Sequence, residues 1–254
     1  MSRPRFLLAF ILPLALAGSL ACPALAQTPG QGPPMPLAVD LAKVPVGTWA
    51  EYAVTLGQMA PMTSRMALVA KAADGNIIET TIEGGMMAMA GGKVVTDMTL
   101  VPNKEKGGTV KKMVFQMGAN DPMEMPIADG GSQKFAKPDP KTLVGAETIK
   151  VKAGSFKTKH YRDKTPSGDT VDYWIDEHVM PIGLVKLEGE QKQNQMIKGP
   201  IRFELAGTGK DAKQVITKAA KPFDPALLNK QASGGAAAAP PPGGAASPAA
   251  GTKK

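Results

Sequence analysis

Two histidines and a group of carboxylates are the residues of this chain whose types suit acid–base chemistry. His160 and His178 are the only histidines, and Asp172, Asp176 and Glu177 lie near them in sequence. A histidine beside a carboxylate can act as a general base. His160 and Asp172 fall on two consecutive predicted strands, however, where an ion pair or hydrogen bond across a hairpin explains them well. We therefore predict no catalytic residues from this pattern.

Sequence motifs for other kinds of catalysis are absent from the chain. It contains no nucleophile elbow, no His-Glu-x-x-His sequence and no phosphate-binding loop. With one cysteine and two histidines, it also lacks the residues for a closed zinc site. The sequence therefore predicts a protein that is not an enzyme and that needs no cofactor.

Methionine is the second residue type that could do chemistry here. Eleven of the 15 methionines lie between Met59 and Met125. Thioether sulfur is a soft ligand that binds Cu(I), and exported proteins can use it because methionine forms no disulfides. One hypothesis is therefore a periplasmic Cu(I)-binding protein with the ligands Met87, Met89, Met123 and Met125. The same side chain is also flexible and polarizable, which suits the wall of an apolar binding site.

The elements that position these residues are predicted from the alternation of apolar and polar side chains, which indicates about ten short strands. They cover residues 49–56, 64–70, 76–82, 93–101, 110–117, 147–151, 155–162, 170–176, 183–188 and 201–205. Short connections rich in Gly, Asp, Asn and Pro favour antiparallel neighbours. The predicted fold class is mainly β, a single curved antiparallel sheet forming a half-barrel, with one or two short helices at 211–220 and 225–231.

Few helices are thus available to cover the apolar face of the sheet, so the sheet must close on itself or wrap around something. Apolar residues that share one face of the predicted strands are Met66, Leu68, Met98, Met113, Phe115 and Met117. They suit an apolar concavity with adaptable walls, and they equally suit the filled core of a barrel. The main functional hypothesis is a protein that binds a lipid or a lipoprotein acyl chain in this concavity.

Residues 144–187 carry a recognisable pattern. One strand ends at the turn of Gly154, a strand with Phe156 follows, and a strand with Trp174 precedes a Pro-x-Gly sequence at Pro181 and Gly183. This segment resembles the LolA/LolB-like superfamily of envelope proteins, which includes uncharacterised periplasmic relatives. The resemblance implies a half-barrel of antiparallel strands whose apolar concavity, in the best-known members, holds lipoprotein acyl chains. Those carriers close the cavity with helices, and this sequence has few.

The first 26 residues predict export. Arg3 and Arg5 precede an apolar run over 6–17, and a small-x-small cleavage site ends at Ala26. The apolar run is shorter than the roughly 20 residues of a membrane-spanning helix. Cys22, the only cysteine, lies inside this leader. The predicted location is the periplasm; the alternative is a lipid anchor on Cys22, if 19–22 acts as a lipobox.

Composition divides the remaining chain into four parts. Residues 27–36 form a linker rich in Pro and Gly, and 37–207 form the antiparallel β domain. Residues 208–232 bear many lysines and contain the expected short helices. Residues 233–254 are almost wholly Ala, Pro and Gly, so they cannot bury enough apolar surface to fold.

The formal net charge of +8 does not indicate nucleic-acid binding. Two positive charges lie in the leader and a surplus of five lies beyond residue 207, which leaves about +1 for the central region. Nucleic-acid binding needs charge clustered on a folded face. The lysine-bearing tail better suits a weak contact with an envelope protein or an anionic surface. A third hypothesis is therefore an interaction module of the cell envelope without a small ligand.

Overall fold

The computed structural model describes residues 35–85, 92–103, 107–127, 135–165, 168–192 and 198–223. Within them, 14 strands form one open, curved sheet. In chain order these are β1 (Met35–Pro36), β2 (Trp49–Leu56), β3 (Met62–Ala72), β4 (Gly75–Gly84), β5 (Lys93–Asn103), β6 (Gly107–Met117), β7 (Met123–Met125), β8 (Phe135–Ala136), β9 (Leu143–Val151), β10 (Gly154–Lys164), β11 (Thr170–Ile175), β12 (Leu184–Gln191), β13 (Gly199–Gly209) and β14 (Lys221–Pro222). The predicted mainly β, curved antiparallel architecture is confirmed.

The sheet consists of two antiparallel meanders. Strands β2 to β6 pair with their neighbours in chain order, and so do β9 to β13. The pairing of β13 with β2 joins the two meanders into one sheet. Each of the ten predicted strands is present, and β2 has the predicted bounds. Short turns connect most neighbours, as expected for antiparallel pairing.

Glycine fixes the turn between β3 and β4. The Asp74-Gly75 dipeptide lies at this turn, and Gly75 has a φ of +147°. A side chain there would place its Cβ 2.9 Å from the carbonyl oxygen of Leu100 on β5. The turn therefore requires a glycine both for its backbone conformation and for the close approach of the next strand.

Four short strands have no counterpart among the predicted ones. β1 pairs in parallel with β8, and β14 pairs in parallel with β7. β7 and β8 also pair with β6. These strands contain two or three residues each, which is too few for an alternating pattern to be detected.

The helix predicted over 211–220 is wrong. These residues, which we call the strap, run without helical structure across the sheet. Elsewhere, a short 3₁₀ helix is present at Pro140–Thr142. Val215 and Ile216 are β-branched and poor helix formers, and their N–H groups bind the Glu79 carboxylate of β4. That carboxylate replaces the hydrogen bonds that a helix would supply. The second predicted helix, 225–231, lies outside the described residues.

The sheet buries side chains on both faces. The main core lies on the inner, concave face and includes Tyr52, Leu187 and Leu205. On the outer face, a small second cluster combines Val95 and Val114 with Ile216 of the strap. The packed part of the chain thus extends beyond the predicted limits of 37–207 on both sides, to β1 and to β14.

Helices long and apolar enough to cross a membrane do not occur among the described residues. The predicted leader, most of the predicted linker and the Ala/Pro/Gly-rich tail lie outside them.

Candidate apolar binding surface

Cross-strand pairing places all six predicted apolar-site residues on the inner face of β3 to β6. One row begins at Leu68 and passes through Ile78, Met98 and Met113 to Met125. Residues in one such row have Cβ atoms about 4.5–5.5 Å apart on adjacent strands, so their side chains touch. The alternation read from the sequence therefore brings Leu68, Met98 and Met113 together.

Two further rows hold the other three predicted residues. Met66 lies in a row with Thr80, Thr96, Phe115 and Met123. Next to it, Ser64, Ile82, Val94 and Met117 form a row of their own. The six predicted residues thus occupy three adjacent rows of one surface.

Burial divides these residues into two groups. Met66, Leu68 and Met98 are 3%, 0% and 2% exposed, so they belong to the closed core. Met113, Phe115 and Met117, all on β6, are half-buried. We call the half-buried part of this surface the inner wall, and it consists of Ile82, Val94, Met113, Phe115 and Met117.

The closed part of the concavity is filled by two segments outside the long strands. Residues 37–44 insert Leu41 and Val44, and the turn after β11 inserts Ile182; all three are fully buried. The backbone N–H of Ala38 donates to the Ile182 carbonyl at 3.0 Å, which links the two segments. The sequence does not predict this plug because residues 37–44 show no strand or helix period.

A polar atom lies close to the inner wall. Thr80 is on the inner face between Met66 and Thr96, and its side-chain oxygen is buried without a hydrogen-bond partner in the described part of the chain. A buried hydroxyl without a partner costs free energy, and the oxygen of Thr80 is closed to solvent.

A separate cleft of about 490 Å³ lies beside the plug, at the ends of β5 and β6 that are far from the inner wall. Its apolar lining includes Val39 and Met180, and Lys43 and Lys137 line it as well. These two lysines form no ion pair with the described carboxylates, and Glu177 of the same lining pairs with Lys159 at 3.0 Å. None of the six predicted apolar-site residues lines this cleft.

The methionines predicted as copper ligands are only partly described. Met123 is buried opposite Phe115, and Met125 is half-buried opposite Met113. Met87 and Met89 lie outside the described residues. The structure instead brings three thioethers from neighbouring strands into one row, those of Met98, Met113 and Met125. Among the described residues, no group of three or more His, Cys, Asp or Glu side chains surrounds a possible metal site.

The histidine–carboxylate pair predicted across a hairpin is present on the outer face. His160 Nε2 lies 2.6 Å from Asp172 Oδ1, and its Nδ1 lies 3.4 Å from Glu147 Oε1. The His160 ring stacks on Trp174 with 4.5 Å between centroids, and Arg162 donates to the same Asp172 oxygen at 2.9 Å. Both ring nitrogens of His160 thus face carboxylates of this protein rather than an open pocket.

The second histidine belongs to a different pair. His178 is exposed, and its Nδ1 lies 2.8 Å from Oδ1 of Asp176 in the turn after β11. The same Asp176 oxygen accepts the backbone N–H of His178 at 2.9 Å. This is the local geometry of an aspartate that stabilises a turn, and it provides no reason to assign catalysis to His178.

No family model matches this chain. No curated protein matches it either. Among solved structures, it is similar to a hypothetical protein from Chlamydia trachomatis, with 11% identity and a TM-score of 0.39, over 69% of this chain and 93% of the other. It is also similar to a predicted exported protein with a YmcC-like fold from Bacteroides fragilis, with 13% identity and a TM-score of 0.30, over 65% of this chain and 96% of the other. Membership of the LolA/LolB-like superfamily stays a prediction.

Proposed function

We propose that this chain is an exported, non-enzymatic protein of the cell envelope that binds an apolar ligand, a lipid or a lipoprotein acyl chain, on the inner wall. The observation that supports this proposal is the change in burial along the inner face. The concavity is filled beside the plug, whereas Met113, Phe115 and Met117 remain half-buried on β6. A ligand would complete the burial of these side chains.

The chemistry of the inner wall suits an acyl chain. Its five side chains are aliphatic, aromatic or thioether groups, and methionine adapts its shape to a flexible ligand. Each methylene that leaves water contributes about 0.8 kcal/mol.

The double variant Met113→Gln/Phe115→Gln tests the proposal. Glutamine retains much of the side-chain size but makes the inner wall polar. We expect the affinity for the apolar fluorophore phenylnaphthylamine, and for hexadecanoate that competes with it, to fall by more than about tenfold. Fluorescence titration measures both. Equal affinity in the variant and the parent protein would contradict the proposal.

Val144→Gln is the matched control for this experiment. Val144 is on β9, at the edge of the sheet farthest from β8, and it is 55% exposed. The same type of substitution there leaves the inner wall unchanged, so the affinity for the fluorophore should not change. Circular dichroism of all variants separates a loss of binding from a loss of folding.

The row of three thioethers favours Cu(I) binding as a second candidate function. Met98, Met113 and Met125 lie on adjacent strands, and thioether sulfur selects Cu(I). Leucine at Met87, Met89, Met123 and Met125 should lower Cu(I) affinity while fluorophore binding stays intact. If Cu(I) affinity measured by competition with a chromophoric chelator is unchanged in that variant and in Met113→Leu, the copper hypothesis fails.

A further inference from the structure

The strap is held at both ends by groups that do not titrate near neutral pH. Near its start, the Trp49 indole N–H donates to Asp211 Oδ1 at 2.7 Å, and the Ala212 N–H donates to the Gly47 carbonyl at 3.0 Å. Just after its end, the Lys221 N–H donates to the Pro122 carbonyl at 2.9 Å. Between these anchors, the strap pairs with no strand of the sheet.

The middle of the strap is held by two carboxyl groups instead. Glu79 Oε2 accepts the backbone N–H groups of Val215 and Ile216 at 2.7 and 3.3 Å. Asp97 Oδ2 accepts the side-chain N–H of Gln214 at 2.8 Å. Ile216 adds its apolar contact with Val95 and Val114. Contact between the strap and the sheet therefore depends on the state of the two carboxyl groups.

Glu79 and Asp97 lie directly opposite each other on β4 and β5. They are 3% and 6% exposed, and Asp97 Oδ1 accepts no N–H or O–H group from the described residues. Two buried carboxylates on directly opposite residues repel each other when both are ionised, so this position favours a proton on Asp97. The strap excludes water from this pair, which makes the cost of the second negative charge larger.

We propose that the strap is a pH-dependent latch, closed over the outer face while the Glu79–Asp97 pair holds a proton and loosened when the pair loses it. In the loosened state, water reaches both carboxylates, and Val95 and Val114 become exposed. The anchors at Trp49 and Lys221 keep the two ends of the strap near the sheet.

The pKa of Asp97 supports a latch that is closed when the pair is protonated. Burial raises it from 3.8 to about 7, a hydrogen bond from Gln214 opposes the rise, and the charge of Glu79 adds to it. Because a raised carboxyl pKa means that the closed state binds the proton more tightly, closure is most stable below pH 4. Its stability falls as the pH rises towards 7 and then levels off.

The other charged groups on the described part of this face do not neutralise Glu79 or Asp97 in place of that proton. The cross-strand neighbours of Asp97 are Glu79 and the apolar Val114. Lys112 of β6 pairs with Glu124 of β7 at 3.0 Å, and Arg65 of β3 stacks over the Trp49 ring. Further charged side chains around the strap and on the outer face of these strands are Glu51, Glu83, Lys93 and Lys213, and Lys218 of the strap pairs with Asp121 at 3.6 Å. No lysine or arginine among the described residues forms an ion pair with Glu79 or Asp97.

Hydrogen exchange at the Val215 and Ile216 amides tests the latch in the purified protein between pH 5 and 8. After division by the intrinsic exchange rate, we expect protection of both amides to fall by up to about tenfold per pH unit until pH 7, as one proton is lost. In Asp97→Asn, which cannot ionise, the protection should not depend on pH over this range. Asp74→Asn, in the exposed β3–β4 turn, should retain the parental profile.

A parental profile that is flat between pH 5 and 7, or one that Asp97→Asn reproduces, would overturn the proposal. If Asp97→Asn does not fold, Glu79→Gln tests the pair in another way: because the charge of Glu79 contributes to the raised pKa of Asp97, the fall in protection should move to lower pH in this variant, and an unchanged profile would contradict the proposal.

Discussion

The inner and outer faces of β4 and β5 are both buried, but by different physical means. On the inner face, Ile78 and Met98 pack against apolar side chains from the second meander and from the plug. On the outer face, Glu79 and Asp97 lie beneath a single extended segment, which they hold through hydrogen bonds. The stability of the inner core should therefore depend on side-chain volume. The attachment of the strap to the outer face should depend on protonation and on hydrogen bonds.

The difference also separates the two proposals. Ligand binding on the inner wall depends on half-buried apolar side chains such as Phe115, which carry no titratable group. The latch depends on two carboxyl groups on the opposite face of the same strands. A variant of one face should therefore leave the behaviour of the other unchanged, since no residue is shared between the two sites.

The largest expected effect is the loss in the free energy of unfolding when a side chain of the closed core is shortened, compared with one of the inner wall. Leu68→Ala removes a fully buried side chain, and we expect it to lower the free energy of unfolding by about 2–5 kcal/mol. Met117→Ala, in the half-buried row, should cost clearly less, since less apolar surface is lost from the interior. Urea unfolding at one pH compares the two. Equal losses would mean that the inner wall is as closed as the core.

The outer cluster provides an intermediate effect. Ile216→Ala removes the apolar contact of the strap with Val95 and Val114, and we expect a loss of about 2 kcal/mol. The loss should be local, so amides of the strap should exchange faster while amides of β2 and β13 keep their protection. A uniform increase in exchange across the sheet would show that the strap and the inner core unfold as one unit.

The smallest effect is expected on the outer face of the second meander, which the strap does not cover. Asp172→Asn weakens the contacts with His160 and Arg162. Because the Arg162 side chain is largely exposed, we expect a loss of about 1 kcal/mol in the free energy of unfolding. Thermal unfolding at neutral pH measures it. A loss comparable to that of Leu68→Ala would contradict the assignment of this cluster to surface pairing.

The ten long strands could be predicted from the sequence because each alternates over at least five residues. The residues that close the structure could not. Leu41 and Val44 enter the core from a segment without period, and the apolar period over 211–220 predicts a helix where the structure has an extended strap. Glu79 and Asp97 alternate like ordinary solvent-facing residues, and their burial results from a segment more than a hundred residues away in the chain.

The candidate site shows the same limit. Alternation placed Met66, Leu68, Met98, Met113, Phe115 and Met117 on one face, and the register confirms that face. It could not show which of them are enclosed, because enclosure depends on where the plug lies. The division between Leu68 and Met117 is therefore a property of the tertiary structure alone.

The most direct test of the proposed function is native mass spectrometry of the protein purified from a bacterial envelope without detergent. We expect a species with an N-terminus at Gln27 and an added mass that fragments as a lipid. The added mass should be lost in Met113→Gln/Phe115→Gln and retained in Val144→Gln. A bare polypeptide that also takes up no added hexadecanoate would contradict the proposal that the inner wall binds an apolar ligand.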